Sequence, residues 1–231
     1  MIRSTLFLAY LFVVSILFGV IALPALLRRE WSIAFSKFWA RAVLAGLSVI
    51  CGIRDRIEGL ENLPEGPALI AAKHQSMWET LRLTTLLERP SFILKKELKH
   101  WPIFSWYCRA NGFIFIDRDA GARSLRDMVN QAKERLGEGA QVVIFPEGTR
   151  SRPGERLPFQ PGVAALARGL GVPTIPVTHD SGDCWRQPGI RKCSGTITMR
   201  FFPPLAAEAD RKGFIRKLEE TIDGPAEALP S

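Results

Sequence analysis

The N-terminal segment constrains the fold most strongly, because residues 4–27 contain no charged side chain. A helix needs about 20 consecutive apolar residues to cross a bilayer core, and this segment is long enough. It therefore predicts a helix that spans a membrane or lies in it. The run exceeds the roughly 7–15 apolar residues of a cleaved signal peptide, so we expect it to be retained. A buried helical hairpin is the alternative, but so long an uncharged run is costly to solvate.

A second apolar segment, residues 31–53, differs from the first because it carries charge. Lys37 and Arg41 lie four residues apart, which places them on one face of a helix. The segment is therefore expected to be amphipathic and to lie at an interface. We predict a membrane-associated helical hairpin over residues 1–53 and a second domain over residues 54–231.

The net charge of +8 favours an anionic partner, which could be nucleic acid, an anionic lipid surface or a phosphorylated substrate. The basic residues form no stripe interleaved with aromatic ones, so nucleic acid is not expected. The four cysteines have neither a CxxC pair nor the spacing of a zinc site. No metal site is expected, and the cysteines are interpreted as reduced thiols.

Beyond Gly52 the chain alternates short apolar runs with helical patterns, which is typical of α/β proteins. We predict a mixed central sheet flanked by helices. The candidate strands are residues 55–58, 68–72, 91–94, 113–116, 142–145, 174–177 and 196–202. The candidate helices are residues 79–87, 124–136, 163–168 and 210–222, with Ser124 as the N-cap of the second.

The segment KHQSMWE, residues 73–79, places His74 five residues before Glu79, directly after an apolar strand. Same-face neighbours in a helix lie three or four residues apart, so these two side chains can meet only across a turn. Glu79 would then hold one ring nitrogen and leave the other free to take a proton. This predicts a general base with its orienting carboxylate. Ser76 could in principle be a nucleophile, although no GxSxG elbow is present.

A second constellation, FPEGTRS at residues 145–151, follows another apolar strand. Pro146 and Gly148 suit a tight turn, Glu147 can fix neighbouring donors, and Arg150 offers a planar fork suited to phosphate. The alternative is a surface turn in which Glu147 and Arg150 pair with each other or with solvent.

Two shorter patterns complete the set. FIFIDRD places Asp117 and Arg118 directly after a predicted strand, and ligands of open α/β sheets bind at the carboxyl ends of strands. In VPTIPV, Pro173 and Pro176 bracket a predicted strand. This segment is expected to shape an apolar wall.

In their order and separations, KHQSMWE, FIFIDR, FPEGTRS and VPTIPV resemble the four motifs of the glycerolipid acyltransferase family, in particular its bacterial PlsC-type 1-acyl-sn-glycerol-3-phosphate acyltransferases. The resemblance covers residues 59–177. It implies acyl transfer from acyl-ACP or acyl-CoA to the sn-2 hydroxyl of 1-acylglycerol-3-phosphate, without a cofactor, with His74 as base and Glu79 as its orienter. The family usually has Asp where Glu79 stands and Asn where Lys73 stands, and Lys73 could help to bind phosphate.

The resemblance also implies a phosphate site formed by the second and third motifs. Arg118 and Arg150 would contact the phosphate of the acceptor, and Glu147, Gly148 and Thr149 would shape the pocket. Lys95, in a stretch FILKKEL that resembles the family's lysine-containing segment, is a third candidate cation. Its alternative is an ordinary solvated charge.

The implied partners are a lysophospholipid acceptor, an acyl carrier protein or CoA thioester, and membrane lipids. The implied location is the bacterial inner (cytoplasmic) membrane, with the active site facing the cytoplasm. Two other hypotheses stay open at this point. The acceptor could be another lyso-lipid such as lyso-ornithine lipid, or the protein could be a non-catalytic membrane-binding module.

Overall fold

One seven-stranded sheet forms the centre of the computed structural model, which describes residues 1–117, 121–185, 189–207 and 210–224. Its strands are β1 (Ile53–Glu58), β2 (Ala68–Ala72), β3 (Pro90–Lys95), β4 (Ile114–Ile116), β5 (Gln141–Ile144), β6 (Thr174–His179) and β7 (Gly195–Phe201). Their order is β1-β7-β6-β2-β5-β3-β4, and neighbours run parallel except β6 and β7. The predicted mixed sheet is confirmed.

Burial on both faces explains why the central strands are continuous apolar runs. Every residue of β2, with the sequence ALIAA, is buried, as expected where helices cover both faces of a parallel sheet. All seven predicted strands are present with ends that differ by no more than two residues. Strand β1 begins two residues early, and β6 ends two residues late, at His179, which brings that residue to the edge of the sheet.

Helices cover the two faces of the sheet. They are α1 (Ile2–Ile21), α2 (Arg29–Cys51), α3 (Trp78–Leu86), α4 (Phe104–Ala110), α5 (Gly121–Gly137), α6 (Pro161–Leu170), α7 (Ser181–Cys184) and α8 (Arg211–Ile222). Short 3-10 turns lie at Leu23–Leu27, Leu60–Asn62 and Lys96–His100. The short helices α4 and α7 were not predicted. Ser124 is not an N-cap, because α5 already begins at Gly121.

The apolar side chains divide into two clusters, one on each face of the sheet. Along β2, Ile70 packs into the first cluster and Leu69 into the second, as the alternation of a strand requires. The helical stripe predicted within residues 124–136 lies in the second cluster, where Met128 and Ala132 are buried. That stripe is core, as its period indicated.

By length and composition, α1 and α2 are each apolar enough to cross a membrane, and only 17% and 28% of their most apolar windows are buried. Nevertheless α1 touches the sheet domain at both ends. Near its start, Ser4 Oγ accepts from Lys192 N at 2.9 Å, and near its end, the Gly19 carbonyl accepts from Tyr107 Oη at 3.2 Å. The helix therefore lies along the domain instead of leaving it.

The hairpin and the sheet share one hydrophobic cluster. Phe7 of α1 is fully buried and meets the Trp185 ring edge-on at 5.5 Å, while Val43 and Leu47 of α2 pack in the cluster that contains Ile70. The connection from α2 to β1 passes through Gly52, which has φ +69°, a conformation that glycine adopts without strain. The division into domains at residues 53 and 54 stays a prediction.

Candidate active site

His74 and Glu79 meet across the turn between β2 and α3. The strand ends at Ala72, the helix begins at Trp78, and Glu79 lies in the first helical turn. His74 Nδ1 and Glu79 Oε1 are 2.8 Å apart, so the predicted contact is present. Because Nδ1 is held, Nε2 is the ring nitrogen that can exchange a proton with a substrate. The imidazole also stacks on Phe145 at a centroid distance of 4.1 Å.

The Glu79 carboxylate is fully buried and both of its oxygens accept hydrogen bonds. Oε1 accepts from the backbone amides of Gln75 and Ser76 at 2.9 and 2.8 Å, and Oε2 accepts from the hydroxyls of Ser76 and Ser181 at 2.7 and 2.9 Å. Burial alone would raise the pKa of Glu79. The neighbouring imidazoles of His179 and His74 and the Ser76 hydroxyl outweigh burial and lower that pKa below its ordinary value. Glu79 is therefore an ionised, rigidly held acceptor at neutral pH.

Two residues that sequence reasoning missed complete this network, His179 and Ser181. His179 Nδ1 accepts from Ser181 N at 3.3 Å, so Nε2 carries the hydrogen and donates to the Lys73 carbonyl at 2.8 Å. Burial lowers the pKa of His179 and the Glu79 carboxylate opposes that shift, and through its two hydrogen bonds the ring braces the turn. The sequence did contain one indication of their role, because THDS directly follows the predicted strand of VPTIPV. In the structure that strand lies beside β2.

Ser76 is not placed to be a nucleophile. Its side chain is fully buried, its hydroxyl donates to Glu79, and that oxygen accepts from Trp78 N at 3.0 Å. The amides of Gln75 and Ser76 are likewise engaged by Glu79, so they are not free to stabilise an oxyanion. The turn after His74 is built to hold a carboxylate.

Lys73 turns away from the site. Its ammonium pairs with the carboxylate of Asp223, directly after α8, and both residues are 9% exposed. The suggestion that Lys73 binds phosphate is therefore wrong, because its charge is already buried against an opposite one. The pair ties the residue before His74 to the C-terminal helix.

Glu147 fixes neighbouring hydrogen-bond donors, as its sequence context predicted. Its side chain is buried, and Oε1 accepts from the His74 backbone amide at 3.2 Å and from Ser151 Oγ at 3.4 Å. Ser151 N in turn donates to the His74 carbonyl at 2.8 Å. Glu147 therefore fixes the backbone of His74, and its part in a phosphate pocket stays a prediction. Within the described part of the chain, Oε2 has no hydrogen-bond partner.

Burial raises the pKa of Glu147 to about 7, which predicts a specific pH dependence of stability. The folded protein binds a proton that the unfolded chain has lost above its value of 4.5. The contribution of protonated Glu147 to the free energy of unfolding is thus fully present below that value. It is lost as the pH rises towards 7, which lowers the free energy of unfolding by about 3 kcal/mol. We expect Glu147→Gln, which keeps the acceptor for His74 N, to flatten this decline in urea unfolding measured from pH 5 to pH 8. Glu155→Gln, an exposed control, should leave it unchanged, and an unchanged slope in the Glu147 variant would contradict the assignment.

Those of the remaining predicted phosphate residues that the structure describes lie at one edge of the sheet. Gly148 has φ +73° in the turn after β5, and Thr149 and Arg150 beyond it are exposed. Lys95 is exposed at the end of β3, which runs parallel to β5 as its neighbour. Arg118 lies outside the described residues. Phosphate binding by these residues stays a prediction.

A cavity of about 410 Å³ lies beside the FPEGT turn. Its walls are mainly apolar, and Ser124, Glu147, Thr149 and Gln160 are among its polar lining residues. The apolar lining comes from Ile93, Ile116, Leu125, Met128, Ile144, Phe145 and Pro146. Phe145 both lines this cavity and stacks on the His74 ring. An apolar cavity therefore lies close to the His74 imidazole, which can accept a proton.

The α/β fold and this site define a class of protein: one that holds an oriented histidine at a sheet edge beside an apolar cavity and exposed cations. A model of the family described as Acyltransferase matches residues 54–180. The chain belongs to the acyltransferase family, as its motifs indicated.

Relatives agree with this, and a solved structure shares the fold. The chain is 38% identical to the 1-acyl-sn-glycerol-3-phosphate acyltransferase of Pseudomonas aeruginosa, over 80% of this chain and 72% of that protein. It is 32% identical to the bovine 1-acyl-sn-glycerol-3-phosphate acyltransferase alpha, over 88% of this chain and 72% of the relative. The crystal structure of the 1-acyl-sn-glycerophosphate (LPA) acyltransferase PlsC from Thermotoga maritima matches with a TM-score of 0.82 at 22% identity, over 99% of this chain and 96% of that one. This last likeness bears on the fold alone.

Proposed function

We propose that this protein transfers an acyl chain from acyl-ACP or acyl-CoA to the sn-2 hydroxyl of 1-acylglycerol-3-phosphate and so makes phosphatidic acid. The observation that carries the proposal is His74, whose Nδ1 is held at 2.8 Å by a buried, ionised Glu79. The names of the relatives support the choice of acceptor.

In the proposed mechanism, His74 Nε2 removes the proton of the sn-2 hydroxyl as its oxygen attacks the thioester carbonyl. The tetrahedral intermediate collapses with cleavage of the carbon–sulfur bond, and the imidazolium returns its proton to the departing thiolate. Glu79 stabilises the imidazolium while it exists. The engagement of Ser76 by Glu79 and Trp78 favours this direct transfer over an acyl-enzyme. The reaction needs no cofactor besides the thioester co-substrate.

The strand-end cations would hold the phosphate and so position the hydroxyl. Arg118, Arg150 and Lys95 are proposed as its ligands, with Gly148 and Thr149 at the turn. The apolar cavity beside this turn offers a hydrocarbon chain a place out of water. Binding of the charged group and of the chain together would orient the reacting oxygen relative to His74.

Replacing Arg150 with alanine should weaken binding of the lysophosphatidate acceptor much more than binding of the thioester donor. Losing a charge-assisted contact to phosphate should raise KM for lysophosphatidate about tenfold or more, while KM for the thioester changes little. Arg152→Ala is a matched control, because Arg152 is also exposed in the same loop. Steady-state kinetics with each substrate varied in turn would test this, and equal KM values in the two variants would remove Arg150 from the phosphate site.

The location proposed for the protein is the bacterial inner membrane, with the site facing the cytoplasm, where acyl-ACP and acyl-CoA are made. The exposed apolar face of α1, which lies along the domain, supports docking in the membrane interface. In this arrangement the lipid acceptor need not leave the bilayer to reach His74.

The reaction is tested by offering the purified protein a panel of lyso-lipids with acyl-ACP or acyl-CoA and identifying the products by mass. We expect phosphatidic acid from lysophosphatidate and little product from lyso-ornithine lipid, which has no phosphate. Preferential acylation of lyso-ornithine lipid would overturn the choice of acceptor. The absence of any product across the panel would favour a non-catalytic membrane-binding module.

A further inference from the structure

An exposed group of aromatic side chains lies in the segment after β3 and has no part in the proposed chemistry. Trp101 is 63% exposed, Phe104 43% and Trp106 46%. Single exposed apolar residues are ordinary, whereas several large ones within six positions form a patch that suggests a partner. We refer to residues 101–106 as the aromatic segment.

The aromatic segment packs directly against α1. Ile103 has φ 61° and ψ −62°, and Phe104 N donates to the Pro102 carbonyl at 2.6 Å, which is the geometry of a strained γ-turn. The turn brings Ile103 onto Gly19, where a Cβ would lie only 2.9 Å from Ile103 Cγ2. With the Tyr107 hydrogen bond to the same glycine, this contact fixes the segment beside the C-terminal end of α1.

The apolar surface of α1 continues around this contact. On either side of Gly19 in sequence, Leu17, Val20 and Ile21 are 52%, 54% and 69% exposed. The aromatic segment therefore extends a surface that the proposed membrane location already assigns to lipid. Aromatic side chains with a polar edge suit the head-group level of a bilayer, where tryptophan is enriched.

Charge on the preceding residues points to the same partner. Residues 95–100, with the sequence KKELKH, are mostly exposed and carry three lysines against one glutamate. Lys96 pairs with Asp117, so Lys95 and Lys99 supply the excess positive charge. Such a basic segment next to an aromatic one fits an anionic lipid surface. Because β3 runs parallel to β2 and β5, its carboxyl end leads into this segment at the same edge of the sheet as His74.

We propose that residues 95–106 are a second membrane-contacting surface, seated on the anionic head groups of a phospholipid bilayer beside the opening of the active site. Its function would be to hold that edge of the sheet at the membrane surface, so that the acceptor reaches His74 from the bilayer. The inference rests on the proposed membrane location. It adds a membrane contact made by the sheet domain to the contact made by the helical hairpin of α1 and α2.

Fluorescence of the full-length protein in phosphatidylglycerol–phosphatidylcholine vesicles tests the position of the surface. Among six tryptophans, the difference between wild type and the W101F/W106F variant isolates Trp101 and Trp106. We expect that difference emission to be quenched by lipids brominated near the head group and to be protected from acrylamide. Quenching by acrylamide, with no effect of brominated lipid, would overturn the proposal whether or not the protein is active.

Kinetics test the consequence for the acceptor. W101S/W106S should raise KM for vesicle-embedded lysophosphatidate about fivefold and leave KM for a short-chain, monodisperse acceptor unchanged. The matched control is Leu60→Ser, because Leu60 is 43% exposed and follows β1, whose end lies at the opposite edge of the sheet. If the double variant raised KM for acyl-ACP alone, the surface would belong to the donor protein and the membrane assignment would be wrong. Failure of the wild type to acylate either acceptor would instead contradict the proposed function, since the quenching result does not depend on turnover.

Discussion

Replacing His74 with alanine should reduce acyl transfer by about 10³-fold or more, because removal of a general base forfeits its whole contribution to proton transfer. KM for both substrates should change little, since the imidazole does not hold the phosphate. The measurement is single-turnover formation of phosphatidic acid from lysophosphatidate and a labelled thioester.

The His74 variant should remain folded, which separates loss of chemistry from loss of structure. The imidazole side chain is partly exposed, and its backbone amide and carbonyl are bound by Glu147 and Ser151 independently of the ring. Thermal unfolding of the variant should therefore lie close to that of the wild type. Appreciable turnover in a correctly folded variant would exclude His74 as the base.

Replacing Glu79 with glutamine should lower kcat about 10³-fold and leave KM nearly unchanged. The amide can still occupy the space of the carboxylate, with its oxygen towards His74 and its NH₂ towards the hydroxyls of Ser76 and Ser181. It cannot supply the negative charge that stabilises the imidazolium formed during the reaction. Steady-state kinetics with both substrates would separate the loss in kcat from any loss of binding.

Glu79→Asp is the matched variant, because it keeps the charge and removes one methylene. The shorter side chain must give up part of its contact with either His74 or the Ser181 hydroxyl, both of which the glutamate reaches. We expect it to lose only about tenfold in kcat, so that its activity lies well above that of the glutamine variant. Equal losses in the two variants would show that the reach of the carboxylate matters and its charge does not.

Local patterns predicted most of the architecture. The seven strands and the helices α3, α5, α6 and α8 were all found near their predicted positions, because short apolar runs and helical period reflect burial along the chain itself. The contact between His74 and Glu79 was predictable for the same reason, since the turn that joins them spans only five residues. The short helices α4 and α7 were missed because neither is long enough to show a period.

The partners contributed by distant segments were not predictable. Lys73 lies next to His74 in sequence and was assigned to phosphate, yet Asp223 from the end of α8 takes its charge. Glu147 was predicted to fix neighbouring donors, but the sequence did not indicate that one of them would be the backbone amide of His74, 73 residues away in the chain. The Lys73 assignment failed because the direction of a side chain at a strand end depends on which other elements reach the same edge.

By itself the sequence determined that the chain begins with membrane-compatible helices, continues as an α/β domain and places a histidine and a carboxylate on either side of one turn. These features depend on composition and short-range spacing. Only the tertiary structure decided how that pair is held. The order of the sheet brings β6 beside β2, and so places His179 and Ser181 against the turn and gives the longer carboxylate of Glu79 a second anchor. Sheet order arises from packing between segments far apart in the chain, which no local pattern encodes.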